Sequence, residues 1–175
     1  MILQQQATQN KVELFLVNVK DYEKKITSLM KELCNKKKMA GVFVSVNKRA
    51  RYVKARLESK KINLSKVIFV DMLEGAKRSE NKIFFIRSPK ALTELSITVS
   101  HLMAAIKQKN KFLIFDSIGS LLMHHDFNTV VKFTHFLISK LRMLNASLYL
   151  ICMNTKENKE LTMAIAPFVD EVIIG

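Results

Sequence analysis

Short runs of β-branched and aromatic residues alternate along this chain with longer stretches whose apolar residues recur at helical spacing. No other feature constrains the fold as much. Residues 12–19, 42–46, 67–71, 112–115, 147–153 and 168–174 read as strands. Residues 83–86 read either as a short extra strand or as a continuation of the polar connection 74–81. Helices are expected over 22–33, 48–59, 91–107, 128–144 and 157–166. Asp21 is placed to cap the first of them, and Asp126 or Asn128 to begin the fourth. The fourth helix should bury Val130, Phe133, Phe136, Leu137, Leu141 and Leu144; the third should bury Leu95, Val99, Leu102 and Ile106.

Strands that alternate with helices need crossover connections, which give a mostly parallel sheet covered on both faces. The strands are near-continuous apolar runs, as a sheet buried on both sides requires. The expected fold is therefore an α/β three-layer sandwich with a mostly parallel central sheet, formed by one domain over residues 1–175. Four glycines and two prolines are too few for a loop-rich all-β protein.

Twenty-nine Lys and Arg against fifteen Asp and Glu give a net charge of +14. A field of that sign attracts polyanions, though a solvated lysine-rich surface accounts for it equally. Residues 1–10 are polar, unlike a signal peptide, and no apolar run approaches the roughly 20 residues that span a bilayer, so a cytoplasmic location without membrane contact is expected. Cys34 and Cys152 lie far apart among apolar residues and read as buried free thiols.

The element order, with two particular segments, resembles the RecA/KaiC-like branch of P-loop ATPases. The segments are Phe112-Leu113-Ile114-Phe115-Asp116-Ser117 and Phe168-Val169-Asp170-Glu171-Val172-Ile173. The first resembles a Walker B strand, whose aspartate supports Mg²⁺ in that family; residues 67–71 resemble the family's "FID" strand. The resemblance implies a RecA-like P-loop NTPase fold and, in degenerate relatives of the kind common in archaea, a regulatory, scaffolding or assembly role, with a homo-oligomer or another protein as partner.

The phosphate-gripping loop of that family is missing from the sequence. Such a loop needs closely spaced glycines, then Lys and Ser or Thr, so that backbone N–H groups can wrap a phosphate. The glycines here are Gly41, Gly75, Gly119 and Gly175. Where the loop belongs stand Asn18, Lys20, Asp21, Tyr22 and Glu23, a tight turn with acidic residues at a helix N-terminus. After the second strand come Asn47, Lys48 and Arg49, with no carboxylate to polarise a water. No ATP hydrolysis, no enzymatic activity and no cofactor are expected.

Asp116 and Ser117 remain as a Walker B-like remnant, with hydrogen bonding at the strand end or helix capping as the simpler role for Asp116. Lys48, Arg49, Arg51, Lys54 and Arg56 are candidate polyanion-binding residues on a basic helix, the basis of a nucleic-acid-binding alternative. A small-ligand crevice around Asn18, Asn47 and Asp116 is a third reading. His124, His125 and Asp126 are adjacent and point apart on a turn, and His101 and His135 could join them only through the fold, so no metal site is expected.

Overall fold

The computed structural model describes residues 10–75 and 77–175. The polar stretch 1–10 thus lies, apart from Asn10, outside the described residues. Seven strands form one sheet: β1 (Val12–Val17), β2 (Ala40–Ser45), β3 (Val67–Asp71), β4 (Ile83–Phe85), β5 (Lys111–Asp116), β6 (Ser147–Met153) and β7 (Glu171–Ile174). Their order is β4-β3-β2-β5-β6-β1-β7, and every neighbouring pair is parallel.

The helices are α1 (Tyr22–Met30), α2 (Ala50–Ser59), α3 (Leu92–Ala105), α4 (Phe127–Met143) and α5 (Lys159–Ile165). Crossovers between parallel strands are right-handed, so the direction of travel along the sheet decides which face a helix covers. The chain moves from β1 to β2 to β3 in one direction, and α1 and α2 pack on one face, over Phe15, Phe43, Phe69 and Ile114. It returns through β5, β6 and β7, and α3, α4 and α5 cover the other face, over Val44, Leu113, Phe115 and Leu150. The result is the expected three-layer α/β sandwich.

Local chemistry adjusts several expected boundaries. β1 stops at Val17, and residues Val19–Asp21 form a tight 3-10 turn into α1. Asp21 makes no capping hydrogen bond, contrary to expectation. α1 widens after Met30 into a π turn over Lys31–Lys36, which carries the helical stretch past the expected end at residue 33. α2 begins at Ala50, so Lys48 and Arg49 precede it. Residues 83–85 are a true edge strand. α3 ends at Ala105, and its third buried position is Met103, with Leu102 only half-buried and Ile106 beyond the helix. Asp126 caps α4, its carboxylate accepting from the Thr129 amide at 2.9 Å. Phe136 faces solvent and Thr134 and Ile138 are buried instead, because the contact stripe of α4 is centred one position away from the expected one. β7 is exposed, as an edge strand, and breaks the pattern of buried apolar runs.

Two helices end in the hydrogen-bond pattern that normally calls for glycine. At α2, Ile62 N–H donates to Leu57 O and Lys61 N–H to Glu58 O, with Lys61 at φ 59°. At α4 the same pair of bonds runs from Ala146 and Asn145, with Asn145 at φ 50°. Both cysteines are buried free thiols. No helix among the described residues is long and apolar enough to cross a membrane.

Candidate functional site

In an open parallel sheet, crevices form at the carboxyl ends of neighbouring strands whose chains depart to opposite faces. Here β1 hands its chain to the α1 side while its neighbour β6 hands its own to the α5 side; β2 and β5 diverge in the same way. Asp116 ends β5 at this edge, and the peptide bond to Ser117 is cis.

The crevice above Asp116 is filled by the chain itself. The tight turn after β1 delivers Tyr22 as the first residue of α1, 3% exposed, and its hydroxyl donates to Asp116 Oδ2. Lys48 Nζ lies 3.7 Å from the centre of the Tyr22 ring, and the Arg56 guanidinium 6.0 Å from it. Arg56 Nη1 donates to Glu23 Oε1 at 2.5 Å. The sequence therefore uses the start of α1 to seat a phenol, and the acidic residue that follows to hold a guanidinium.

Electrostatics follow the burial. Asp116 is 1% exposed. Desolvation pushes its carboxyl up to about 6, opposed by the Tyr22 hydrogen bond and by the charges of Lys48 and Arg56. Burial, then the Asp116 charge, raises the Tyr22 phenol far above its ordinary value. Burial lowers the Lys48 ammonium, with Asp116 pulling the other way. Ser117 Oγ pairs with Ser120 Oγ at 2.7 Å and faces a separate groove of about 350 Å³ that also includes Gly119, Met153 and Asn158.

The remaining expected site residues do not converge on Asp116. Asn18 Nδ2 donates to Gly175 O at 3.0 Å, Lys20 is exposed, and Asn47 is exposed past β2. The crevice expected around Asn18, Asn47 and Asp116 is thus not formed, because Tyr22 covers the aspartate, Asn18 is held by Gly175 and Asn47 is exposed. The basic residues are each engaged within the chain. Arg49 and Arg51 reach Glu74 at 3.8 and 2.5 Å, and Lys77 joins them at 2.6 Å. Lys54 Nζ donates to Asn81 O at 3.0 Å and lies 3.9 Å from Glu58. The hydrogen bonds from Lys77 and Arg51 hold the Glu74 carboxyl below its ordinary value. His125 Nε2 contacts Pro89 O, the His135 ring packs on Phe168, and no cluster of three metal-binding side chains occurs among the described residues.

Sequence reading missed two carboxylates. Glu74 sat in a stretch read only as a polar loop. Asp71, at the end of β3, is fully buried and accepts from the amides of Ala50 at 2.6 Å, Leu73 at 2.7 Å and Glu74 at 2.9 Å. It caps α2 from a neighbouring strand, a contact that no local spacing reveals.

No curated protein matches this chain. Among solved structures, it is similar to the KaiC-like protein PH0186 from the hyperthermophilic archaeon Pyrococcus horikoshii OT3. The TM-score is 0.66 at 14% identity, over 95% of this chain and 71% of that one. A likeness at that identity establishes the fold, which is the RecA/KaiC-like fold implied by the strand order and by Asp116 at the end of β5. A family model described as a family of unknown function (DUF7504) matches residues 22–174, and the chain belongs to that family.

Proposed function

We propose that this chain is a non-hydrolysing RecA/KaiC-like domain with a regulatory or protein-interaction role. The observation that supports it is the Tyr22–Asp116 contact under Lys48. An aspartate that would support Mg²⁺ in an active relative here accepts a hydrogen bond from a buried phenol. The bend between Val17 and Glu23 contains no glycine and places Asp21 and Glu23 at the helix start. The residues present therefore do not fit a magnesium–nucleotide. Backbone amides cannot encircle a phosphate there without residues that adopt positive φ, and the acidic pair opposes an anion at the helix dipole.

Phosphate release and calorimetric titration with ATP and Mg²⁺ test this reading. It expects no heat of binding and turnover at background; micromolar binding or turnover above background refutes it. The net charge of +14 supports a second reading, diffuse nucleic-acid binding. Because Arg49, Arg51, Lys54 and Arg56 all have partners in the chain, such binding must displace carboxylates and carbonyls, and it should be weak and steeply salt-dependent. A mobility shift with random duplex and single strand at two salt concentrations checks it, and no shift at low salt removes it.

A further inference from the structure

β7 ends the sheet, and its outer edge has no strand partner among the described residues. Alternate residues of a strand face opposite sides of the sheet. Ile173 packs on the α1 side, so Glu171, Ile173 and Gly175 look to that side, and Val172 and Ile174 look to the α5 side. There Ile174 is 74% exposed and Val172 38%. Met163, on the outer face of α5, and Phe168 after that helix are also exposed apolar side chains on the same side. Backbone groups alternate too. Gly175 N–H donates to Leu16 O at 3.0 Å, which turns the N–H and C=O groups of Glu171 and Ile173 toward β1 and those of Val172 and Ile174 outward.

We propose that β7 is a dimerisation edge, on which two copies of this chain pair antiparallel about a two-fold axis through Ile173 and join their sheets. The inference rests on the interaction role proposed above and names its surface and partner. The register follows from chemistry. With Ile173 opposite its own copy, Val172 and Ile174 of the two chains form two hydrogen-bonded pairs through their outward amides, apolar against apolar. Glu171 then lies opposite Gly175 of the second copy. A Cβ on Gly175 would stand 3.3 Å from Lys25 Nζ, so each Glu171 meets Lys25 of the second copy, on the same side of the sheet. Two other symmetric registers are worse. Centring on Val172 sets Glu171 against Ile173 and calls on the Asp170 amide, already given to Val12 O at 2.8 Å. Centring on Glu171 sets two carboxylates face to face. The two-fold pairing closes on itself, as an isologous contact must.

An edge of four residues with two flanking side chains falls below the ~1,200 Å² of a standard interface. Association should therefore need roughly micromolar protein. Two copies each carrying +14 also repel, so the measurement belongs at about 0.15 M salt, where screening acts over ~8 Å. Sedimentation velocity of the full chain across a concentration series should show the 20.1 kDa chain converting to a species of twice that mass. Ile174→Lys, at an exposed position that leaves each copy folded, should weaken association by ~10-fold or more. Glu171→Lys should weaken it as well, and adding Lys25→Glu should restore it. Hydrogen exchange at the amides of Val172 and Ile174 should slow as the dimer forms. A monomer at every concentration overturns the proposal, and so does a dimer indifferent to Ile174→Lys or a charge swap that restores nothing. Nucleotide turnover would defeat the functional reading and leave this edge intact, whereas a monomer that ignores ATP would defeat only the edge.

Discussion

Replacing Asp116 by asparagine removes a buried charge while keeping the oxygen that accepts the Tyr22 hydrogen bond. The carboxyl is 1% exposed, and burial pushes it up to about 6 in the folded chain from an ordinary value of 3.8. A group whose folded pKa is raised favours the protonated fold. Its contribution is fully present below the unfolded value near 3.8 and is lost as pH rises through about 6. Each tenfold change in proton affinity is about 1.4 kcal/mol, so the ionised form should make the fold about 3 kcal/mol less stable at pH 8 than the neutral form does. Asp116→Asn, which cannot ionise, is therefore expected to be more stable than the native chain at pH 8 by up to about 3 kcal/mol. The two should converge as pH falls toward 4. Urea unfolding followed by far-ultraviolet circular dichroism between pH 4 and 8 reads both curves. Asp126 and Asp170, whose carboxyls hydrogen bonds hold low, destabilise both proteins equally in acid, so the difference between the curves isolates Asp116. A variant less stable than the native chain at pH 8, or a difference independent of pH, would refute the reasoning. Either result would mean that Lys48 and Arg56 fully compensate the charge.

Other substitutions test the frame around the site by the same denaturation assay. Asp71→Ala leaves three amides at the start of α2 and in the following turn without their acceptor, and should lower stability by about 2 kcal/mol or more. Gly41→Ala places a Cβ 2.6 Å from the Phe112 ring, and should lower stability by about 1–3 kcal/mol through overpacking. Lys61→Gly relieves a left-handed lysine at φ 59°, and should raise stability by about 1 kcal/mol.

The fold was legible because it rests on patterns that sequence carries directly. Apolar runs such as 67–71 and 147–153 match β3 and β6 closely, since a strand buried on both faces has little freedom in composition. Positions where tertiary contact overrides local preference were not legible. Phe136 fits a helical stripe, yet α4 turns Thr134 and Ile138 inward. Lys61 and Asn145 stop helices where glycine would be expected, because the Schellman bonds and neighbouring packing hold them at positive φ. At the site, the sequence singled out both Tyr22 and Asp116, the first as a residue standing where a phosphate loop belongs and the second as a remnant. That the two bond to each other was hidden, because they are 94 residues apart and meet only through the order β5-β6-β1. Glu74 also pairs with Lys77, three residues on, but its grip on Arg49 and Arg51 escaped for the same reason: those partners come from α2 and from the residue just before it.

The most direct test of the account is a structure determined with a saturating non-hydrolysable ATP analogue and Mg²⁺. It should show the Tyr22 hydroxyl still on Asp116 and no nucleotide over the bend between Val17 and Glu23. A triphosphate cupped over that bend, with Tyr22 swung away and a cation on Asp116, would contradict it.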